Sequence, residues 1–182
     1  MKKLTHISRG LTLPLVLGLS FIAPLTSPVQ NKVAAATLGG AAFDDPEATF
    51  EDARVVHNVT VDGEKGMRVH AKFHVKYGKG IPCLMIAYFY YNDGKNTPLK
   101  ASSDPDYRAY RTVSGQVSSK TKFTPAYDPA VYNDLQLFIP YDALNMASGD
   151  SYDLKFYLAL YDQDGERTFG KSGWYTFHLN VP

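Results

Sequence analysis

Residues 67–77, MRVHAKFHVKY, decide the fold, because their side chains alternate between two kinds without a break. Apolar and aromatic side chains occupy every odd position. The even positions carry basic or potentially basic side chains: Arg68, His70, Lys72, His74 and Lys76. Successive side chains of a β-strand point to opposite faces of the sheet, so the stretch predicts a strand with one buried face. We expect the apolar row to face the core and the basic row to face solvent.

Further segments with strand character follow, separated by turns rich in Gly, Pro, Asn and Asp. The predicted strands cover residues 50–61, 67–77, 81–91, 134–140, 150–160 and 168–181, with weaker candidates at 107–113 and 116–123. No long window shows the periodicity of a helix. The pattern predicts an all-β fold, a seven- or eight-stranded antiparallel β-sandwich of immunoglobulin-like type. A small β-barrel is the alternative.

Residues 81–91, IPCLMIAYFYY, are apolar at both odd and even positions. This pattern is typical of a strand covered on both faces, so we predict a central strand here. Cys83, the only cysteine of the chain, falls in this run. We interpret it as a small buried hydrophobic side chain, because a reactive thiol needs a polar and partly exposed setting. A single cysteine allows no internal disulfide.

The N-terminal segment has the pattern of a cleavable secretory signal peptide. Basic residues precede the apolar run LTLPLVLGLSFIAPL at residues 11–25, and an Ala-rich stretch follows. The run is short of the roughly 20 apolar residues of a spanning helix. We predict a signal peptide over residues 1–36, a flexible lead-in over 37–48 and one β-sandwich domain over 49–182. No membrane span is expected after removal of the signal.

The signal predicts an exported protein that is extracellular, periplasmic or associated with the cell envelope. The chain has 19 basic and 18 acidic side chains, and the part beyond residue 36 has 15 basic against 18 acidic ones. A surplus of acidic groups gives no support for nucleic-acid binding.

Signatures of metal, cofactor or catalytic sites are weak. His70 and His74 are four residues apart, which on a strand is about 13 Å and too far to share one ion. Asp162, Asp164 and Glu166 are a weak calcium candidate, but an ordinary Asp-Gly turn also accounts for them. The sequence contains no nucleophile elbow, no His-Glu-x-x-His and no phosphate-binding glycine loop. We therefore predict no catalytic residues, no bound metal and no cofactor.

Aromatic side chains are frequent, with 13 Tyr, 10 Phe and 1 Trp. Tyr157, Tyr161 and Trp174 fall on the polar phase of their predicted strands. Exposed aromatic residues on a sandwich are typical of faces that bind sugars or proteins. The alternative is a second layer of packing beneath the loop over residues 93–107.

The basic row formed by Arg68, His70, Lys72, His74 and Lys76 has two interpretations. Geometry alone requires a polar outer face, and acidic side chains of neighbouring strands can pair with this row. Alternatively, the row is a patch for an anionic partner. An anionic partner would make binding strongly dependent on salt, whereas stacking of sugars on aromatic rings would not.

Several phrases together resemble a β-sandwich module of bacterial proteins. The phrases are DGEKGMRVHAKFHV at 62–75, CLMIAYFYYNDG at 83–94, PLK at 98–100, FTPAYDPAVYNDLQLFIPYDAL at 123–144 and DLKFYLALYDQDG at 153–165. That module is found at the C-terminus of multidomain chains, among them caspase-like peptidases and tandem-repeat proteins. The resemblance covers about residues 50–180 and implies an accessory or interaction domain with no catalytic residues to carry over.

We predict a secreted, non-catalytic β-sandwich that binds a macromolecular partner at or outside the cell envelope. The partner is an unknown protein or an anionic or polysaccharide component of the envelope. A carbohydrate-binding module that uses the surface aromatics is one alternative. A hydrolase with an unrecognised pair of carboxylates is the other.

Overall fold

Eight β-strands and two short 3₁₀ helices make up residues 44–182, the part of the chain that the computed structural model describes. The strands are β1 Glu47–Val61, β2 Glu64–Lys76, β3 Cys83–Tyr91, β4 Ser118–Phe123, β5 Ala130–Pro140, β6 Ser151–Asp162, β7 Arg167–Lys171 and β8 Tyr175–Asn180. The 3₁₀ helices are Pro105–Tyr110 and Tyr141–Leu144. The predicted signal peptide, residues 1–36, and most of the predicted lead-in lie outside the described residues. β1 begins two residues before the predicted start of the domain at residue 49.

The strands form two antiparallel sheets that pack as a sandwich, as predicted, and do not close into a barrel. The smaller sheet has the order β1-β2-β5, and the larger has the order β4-β3-β6, with β7 and β8 both along the outer edge of β6. The chain changes sheets after β2, after β4 and after β5. This is the arrangement of an immunoglobulin-like sandwich, with the fourth strand placed beside the third in the larger sheet.

The core lies between the two sheets and follows from the alternation in β2. Met67, Val69 and Phe73 on its odd positions are fully buried. Met85 and Phe89 on β3 reach the same core from the larger sheet and are also fully buried. Burial of a large apolar side chain contributes roughly 1.5–3 kcal/mol, so this register is strongly preferred to one shifted by a residue.

Two predicted strands differ from the structure in kind or continuity, and a third, 134–140, begins earlier, at Ala130. The weak candidate at 107–113 is wrong, because the 3₁₀ helix Pro105–Tyr110 occupies most of it. The Asp104 carboxylate caps this helix by accepting a hydrogen bond from the Asp106 amide at 2.9 Å. The proline after Asp104 favours the first position of a helix, and the prediction missed this signal.

The predicted final strand, 168–181, is divided into β7 and β8 by a break at Ser172 and Gly173. Ser172 keeps both hydrogen bonds to β6 across the break. Its amide donates to the Leu158 carbonyl at 2.9 Å, and its hydroxyl accepts from the Leu158 amide at 2.8 Å. The chain therefore leaves the strand geometry without losing a hydrogen bond on β6, and Trp174 follows on the outer face of the larger sheet.

Candidate functional site

The basic row lies on the outer face of the smaller sheet, as the alternation predicts. β2 is the central strand of that sheet, so β1 and β5 flank the row on both sides. The side chains of Arg68, His70, Lys72 and His74 are partly buried, and Lys76 at the end of the strand is exposed. The five residues therefore share one face, where their neighbours decide how much charge they present.

Acidic side chains from both flanking strands pair with most of this row. Glu51 on β1 forms an ion pair with Lys72 at 2.6 Å and a second one with His74. Asp134 on β5 contacts His70 at 2.6 Å. The hydrogen bond from Lys72, followed by that from His74, lowers the pKa of the Glu51 carboxyl.

The remaining two members of the row differ from each other. Arg68 donates a hydrogen bond to the side-chain oxygen of Gln136 on β5 at 3.3 Å. Lys76 has no acidic side chain within 4.0 Å among residues 44–182. The hydrogen bond from His70, and then that from Gln136, lowers the pKa of Asp134. The geometry of the row therefore agrees with the interpretation of an internally paired surface.

The outer face of the larger sheet has a different composition. The outward positions of β3 are Leu84, Ile86, Tyr88 and Tyr90, all partly exposed. Its inward positions from Cys83 to Phe89 are fully buried. The sequence predicted that both faces of this strand are covered by other parts of the protein. Within the described residues the core covers one side only, so that prediction is wrong for the outward positions. An apolar row remains at the centre of the larger sheet.

The three predicted aromatic residues join this outward row. Tyr157 and Tyr161 are the outward neighbours of Tyr88 and Leu84 on β6, and Trp174 packs against Tyr157 with ring centroids 5.3 Å apart. Together these side chains form what we call the aromatic face: Leu84, Ile86, Tyr88, Tyr90, Tyr157, Tyr161 and Trp174. The prediction found three of its members. The other four were hidden in a run that is apolar at every position.

The rings of the aromatic face pack against one another. Tyr88 and Tyr157 are stacked at 5.1 Å, while Tyr90 meets Trp174 edge to face at 5.1 Å. Among residues 44–182, every ring contact of Tyr88, Tyr90, Tyr157 and Trp174 is with another member of this group. The predicted alternative, a layer of packing beneath the 93–107 loop, has a point of contact at Tyr90, which forms a β-bridge with Pro98 of that loop.

Four lysines accompany the aromatic face. Lys120 and Lys122 of β4 pair in register with Ile86 and Leu84, and Lys171 of β7 pairs with Ala159, so they share the outward side. Lys155 of β6 is the fourth, and its ammonium lies 5.0 Å from the centroid of the Trp174 ring. The ammonium of Lys171 lies 4.1 Å from the centroid of the Tyr157 ring. We call these side chains the lysine quartet: Lys120, Lys122, Lys155 and Lys171.

The lysine quartet differs from the basic row in its pairing. None of its four ammonium groups has a carboxylate within 4.0 Å in the part of the chain that the structure describes. Lys155 is nevertheless 93% buried by neighbouring side chains, since only 7% of its surface is exposed. Its neighbours there are Tyr90 and Thr176 in register and the ring of Trp174. Its charge is therefore met by an aromatic ring and not by an acid.

The packing of the tyrosines changes their acidity. Burial, followed by the neighbouring Tyr90 and Tyr88, raises the pKa of Tyr157 to about 12. Burial and Tyr90 also raise the pKa of Tyr88. Both hydroxyls therefore stay protonated at neutral pH and can donate hydrogen bonds.

The calcium candidate forms an ordinary turn. The Asp162 carboxylate accepts hydrogen bonds from the amides of Asp164 at 3.0 Å and Gly165 at 2.9 Å, and it faces Arg167 at 3.6 Å. No group of three or more potential metal ligands comes together within residues 44–182, so Asp162, Asp164 and Glu166 do not converge. The arginine beside Asp162 supplies the positive charge that a cation would otherwise provide.

Cys83 is fully buried in the core, as the apolar run predicts. Its thiol donates a weak hydrogen bond to the Ile81 carbonyl at 3.3 Å. Burial, followed by the negative charges of Asp162 and Asp164, raises the pKa of the thiol to about 11. A thiol in this state is a poor nucleophile at neutral pH.

Comparison with known proteins does not identify a relative. A scan against protein-family models and a search of curated protein sequences both find no match. Among the described residues, no helix is both long and apolar enough to cross a membrane. The case for a function therefore rests on the two sheet faces.

Proposed function

We propose that this protein is an exported, non-catalytic binding module and that the aromatic face is its docking surface for a protein partner. The observation that carries the proposal is the partial exposure of Leu84, Ile86, Tyr88 and Tyr90 on a strand whose opposite side is fully buried from Cys83 to Phe89. Apolar side chains on the outer face of a sheet are costly in water unless another surface covers them.

A comparison of the two outer faces of the sandwich also favours the aromatic face as the docking surface. The smaller sheet presents charges that its own strands largely neutralise, such as Glu51 with Lys72. The larger sheet presents Tyr and Trp side chains, which are enriched among the residues that dominate the energy of protein interfaces. Their mutual packing also fixes the rings before a partner arrives, which reduces the entropic cost of binding.

Ring geometry favours a protein over a sugar. Tyr88 covers one face of the Tyr157 ring and Lys171 lies over the other, because β3 and β7 flank β6 on opposite sides. Sugar stacking requires a free ring face. With both ring faces covered, Tyr157 can contact a partner only through its ring edge and hydroxyl, which suit the mixed apolar and hydrogen-bonding contacts of a protein interface.

Carbohydrate binding is the second candidate, and Trp174 favours it. Its side chain is 45% exposed, and Lys155 lies over one face of the ring. The exposed part of the ring can contact one sugar ring. A single stacking platform gives weak and poorly selective binding, so we rank this function below protein binding.

Co-sedimentation of the purified chain with cell-envelope and polysaccharide fractions tests the proposal. Ile86→Ser removes an apolar side chain from the centre of the aromatic face, and Val131→Ser makes the same change at a 52% exposed position on the smaller sheet. We expect Ile86→Ser to reduce retention about tenfold and Val131→Ser to leave it unchanged. Circular dichroism and thermal melting confirm that both variants are folded.

Treatment of the fractions separates the two candidates. Protease digestion of the envelope fraction abolishes retention if the partner is a protein. Retention that survives protease and depends on Trp174 supports the carbohydrate candidate instead. The proposal is wrong if the folded chain is retained by no fraction, or if both serine variants lose retention equally.

A further inference from the structure

We propose that the protein partner presents an acidic segment, with carboxylates and apolar side chains together, to the aromatic face and its lysine quartet. This inference rests on the proposed function and adds the chemistry of the partner. It follows from the arrangement of charge on the outer face of the larger sheet.

The lysines of this face form no ion pairs with carboxylates among the described residues. Lys120 and Lys122 are exposed and two residues apart on β4, which places them about 6.6 Å from each other. Neither has a carboxylate within 4.0 Å among residues 44–182. Two unpaired cations at this distance repel each other, and an anionic partner relieves that repulsion.

The absence of acids here contrasts with the other sheet. On the smaller sheet, Glu51 and Asp134 reach the basic row from flanking strands. Among the described residues, Asp153 is the single carboxylate at the outward strand positions of the larger sheet, and it is held by His178 at 2.9 Å. Within the described residues, the smaller sheet supplies acids to its own basic row. The exposed members of the lysine quartet, Lys120, Lys122 and Lys171, are left for an external acid.

The hydrogen-bonding groups of the face are also complementary to an acid. The indole N–H of Trp174 is a donor only. Tyr88 and Tyr157 keep their hydroxyl protons well above neutral pH, since burial raises both pKa values. Ammonium, indole and phenol groups together make a surface that is rich in donors, and carboxylates are the strongest acceptors that proteins present.

A polypeptide fits this surface better than an anionic polysaccharide. Leu84 and Ile86 lie between the lysines of β4 and the tyrosines of β6. Aliphatic side chains at this position gain free energy only against another apolar group. An acidic polypeptide with interspersed apolar residues supplies both kinds of contact, whereas a uronic-acid polymer supplies charge without aliphatic side chains.

Trp174 makes the test direct, because it is the only tryptophan of the chain and belongs to the face. Its fluorescence is excited where tyrosine does not absorb. The purified chain is titrated with three probes: a random copolymer of glutamate and tyrosine, polyglutamate, and polygalacturonate. We expect a blue shift with the copolymer, binding at least about tenfold weaker for the other two polymers, and weaker copolymer binding at high salt.

Charge reversal tests whether Lys120 and Lys122 bind the acidic copolymer. The double variant Lys120→Glu/Lys122→Glu should weaken binding of the copolymer about tenfold or more. Lys65→Glu is the matched control, because it reverses an exposed lysine at the start of β2 on the smaller sheet. Its affinity should remain within about twofold of the wild type. Melting curves verify that all the proteins are folded.

Four results would overturn the inference. Equal or tighter binding of polygalacturonate would assign the lysine quartet to a polysaccharide. Equal binding of polyglutamate would show that the apolar centre takes no part. No effect of the double charge reversal, or no binding of the copolymer, would remove the acidic partner. The proposed function is tested separately by co-sedimentation. If Ile86→Ser still reduces retention of the chain by the envelope fraction, protein binding by the aromatic face remains supported even though the acidic partner is ruled out.

Discussion

Lys171 lies with its ammonium 4.1 Å from the ring centroid of Tyr157, on the ring face opposite Tyr88. This contact holds the ring in place at the centre of the aromatic face. Replacement of the ammonium with an apolar group of similar length, Lys171→Met, should lower the free energy of unfolding by about 0.5–1 kcal/mol. Urea denaturation measures this change. Lys79→Met at an exposed turn is the control and should have a smaller effect.

A double-mutant cycle isolates the contact itself. In a chain that carries Tyr157→Leu, Lys171→Met should cost nearly nothing, because the ring is already gone. Equal costs in both backgrounds would mean that Lys171 stabilises the fold through another contact.

The high pKa of Tyr157 predicts a measurable alkaline transition. The folded-state pKa of about 12 lies above the ordinary value of 10.0. The unfolded chain therefore loses this proton first, and the stability of the fold should decrease as the pH rises above 10.0 towards 12. The absorbance of ionised tyrosine, measured for the wild type minus Tyr157→Phe, should show a midpoint near 12. A midpoint near 10.0 would contradict the packing described for this ring.

The lowered pKa of Glu51 predicts an acid-dependent contribution to stability. Its folded-state pKa is below 4.5, mainly because Lys72 and then His74 donate to it. The contribution is therefore present above pH 4.5 and is lost as the pH falls through the folded-state pKa. Glu51→Gln should be slightly less stable than the wild type at neutral pH and similar to it in strong acid.

The control for this prediction is Glu47→Gln on the same strand, which has no ion pair within 4.0 Å among the described residues. Urea denaturation at several pH values compares the three proteins. A constant difference between Glu51→Gln and the wild type at every pH would show that the charge of Glu51 does not contribute.

The backbone packing around Gly66 leaves no room for a side chain at this position. A Cβ atom there would collide with the Ile139 carbonyl oxygen and lie 2.7 Å from the Pro140 Cα, both rigid backbone atoms of β5. Gly66→Ala should therefore destabilise the fold by about 2–3 kcal/mol. At Gly173 a Cβ meets nothing within 4 Å, so Gly173→Ala is the matched control and should change stability by less than about 1 kcal/mol. Thermal melting separates the two.

Export predicts a shortened chain. Expression in a bacterial host with an intact secretion pathway should yield protein outside the cytoplasm that begins at or within a few residues of Thr37. Intact mass spectrometry measures the cleavage site. Replacement of Ala36 with a bulky residue, Ala36→Phe, should shift or slow the cleavage, because the signal site requires small side chains. Full-length protein confined to the cytoplasm would contradict the prediction.

The alternation of side chains made the smaller sheet predictable. Residues 67–77 have one apolar and one basic phase, so a single rule gives both the strand and its buried side. The acidic partners of the basic row were expected in kind but not in identity. Glu51 and Asp134 are far from β2 in sequence, and only the register of three strands brings them to it.

The exposed face of the larger sheet was harder to predict from the sequence, because β3 is apolar at both odd and even positions. Such a run predicts burial on both sides but does not say what covers each one. The other half of the sandwich covers the side of Met85 and Phe89, and within the described residues the side of Ile86 and Tyr88 is only partly buried. Tyr157, Tyr161 and Trp174 were predicted to be exposed because they occupy the otherwise polar positions of their strands. Tyr88 and Tyr90 were not, since alternation places them opposite Tyr91 but does not say which side is exposed.

The break at Ser172 has a consequence for how copies of the protein meet. A long, regular strand at the border of a sheet is a template on which a second chain can polymerise. Here that border consists of β7 with 5 residues and β8 with 6, and the chain turns outward between them. At this border a neighbouring molecule finds no continuous ladder to extend. The break therefore limits strand-by-strand growth at this border of the larger sheet, and encounters there are directed to side chains instead of to the backbone.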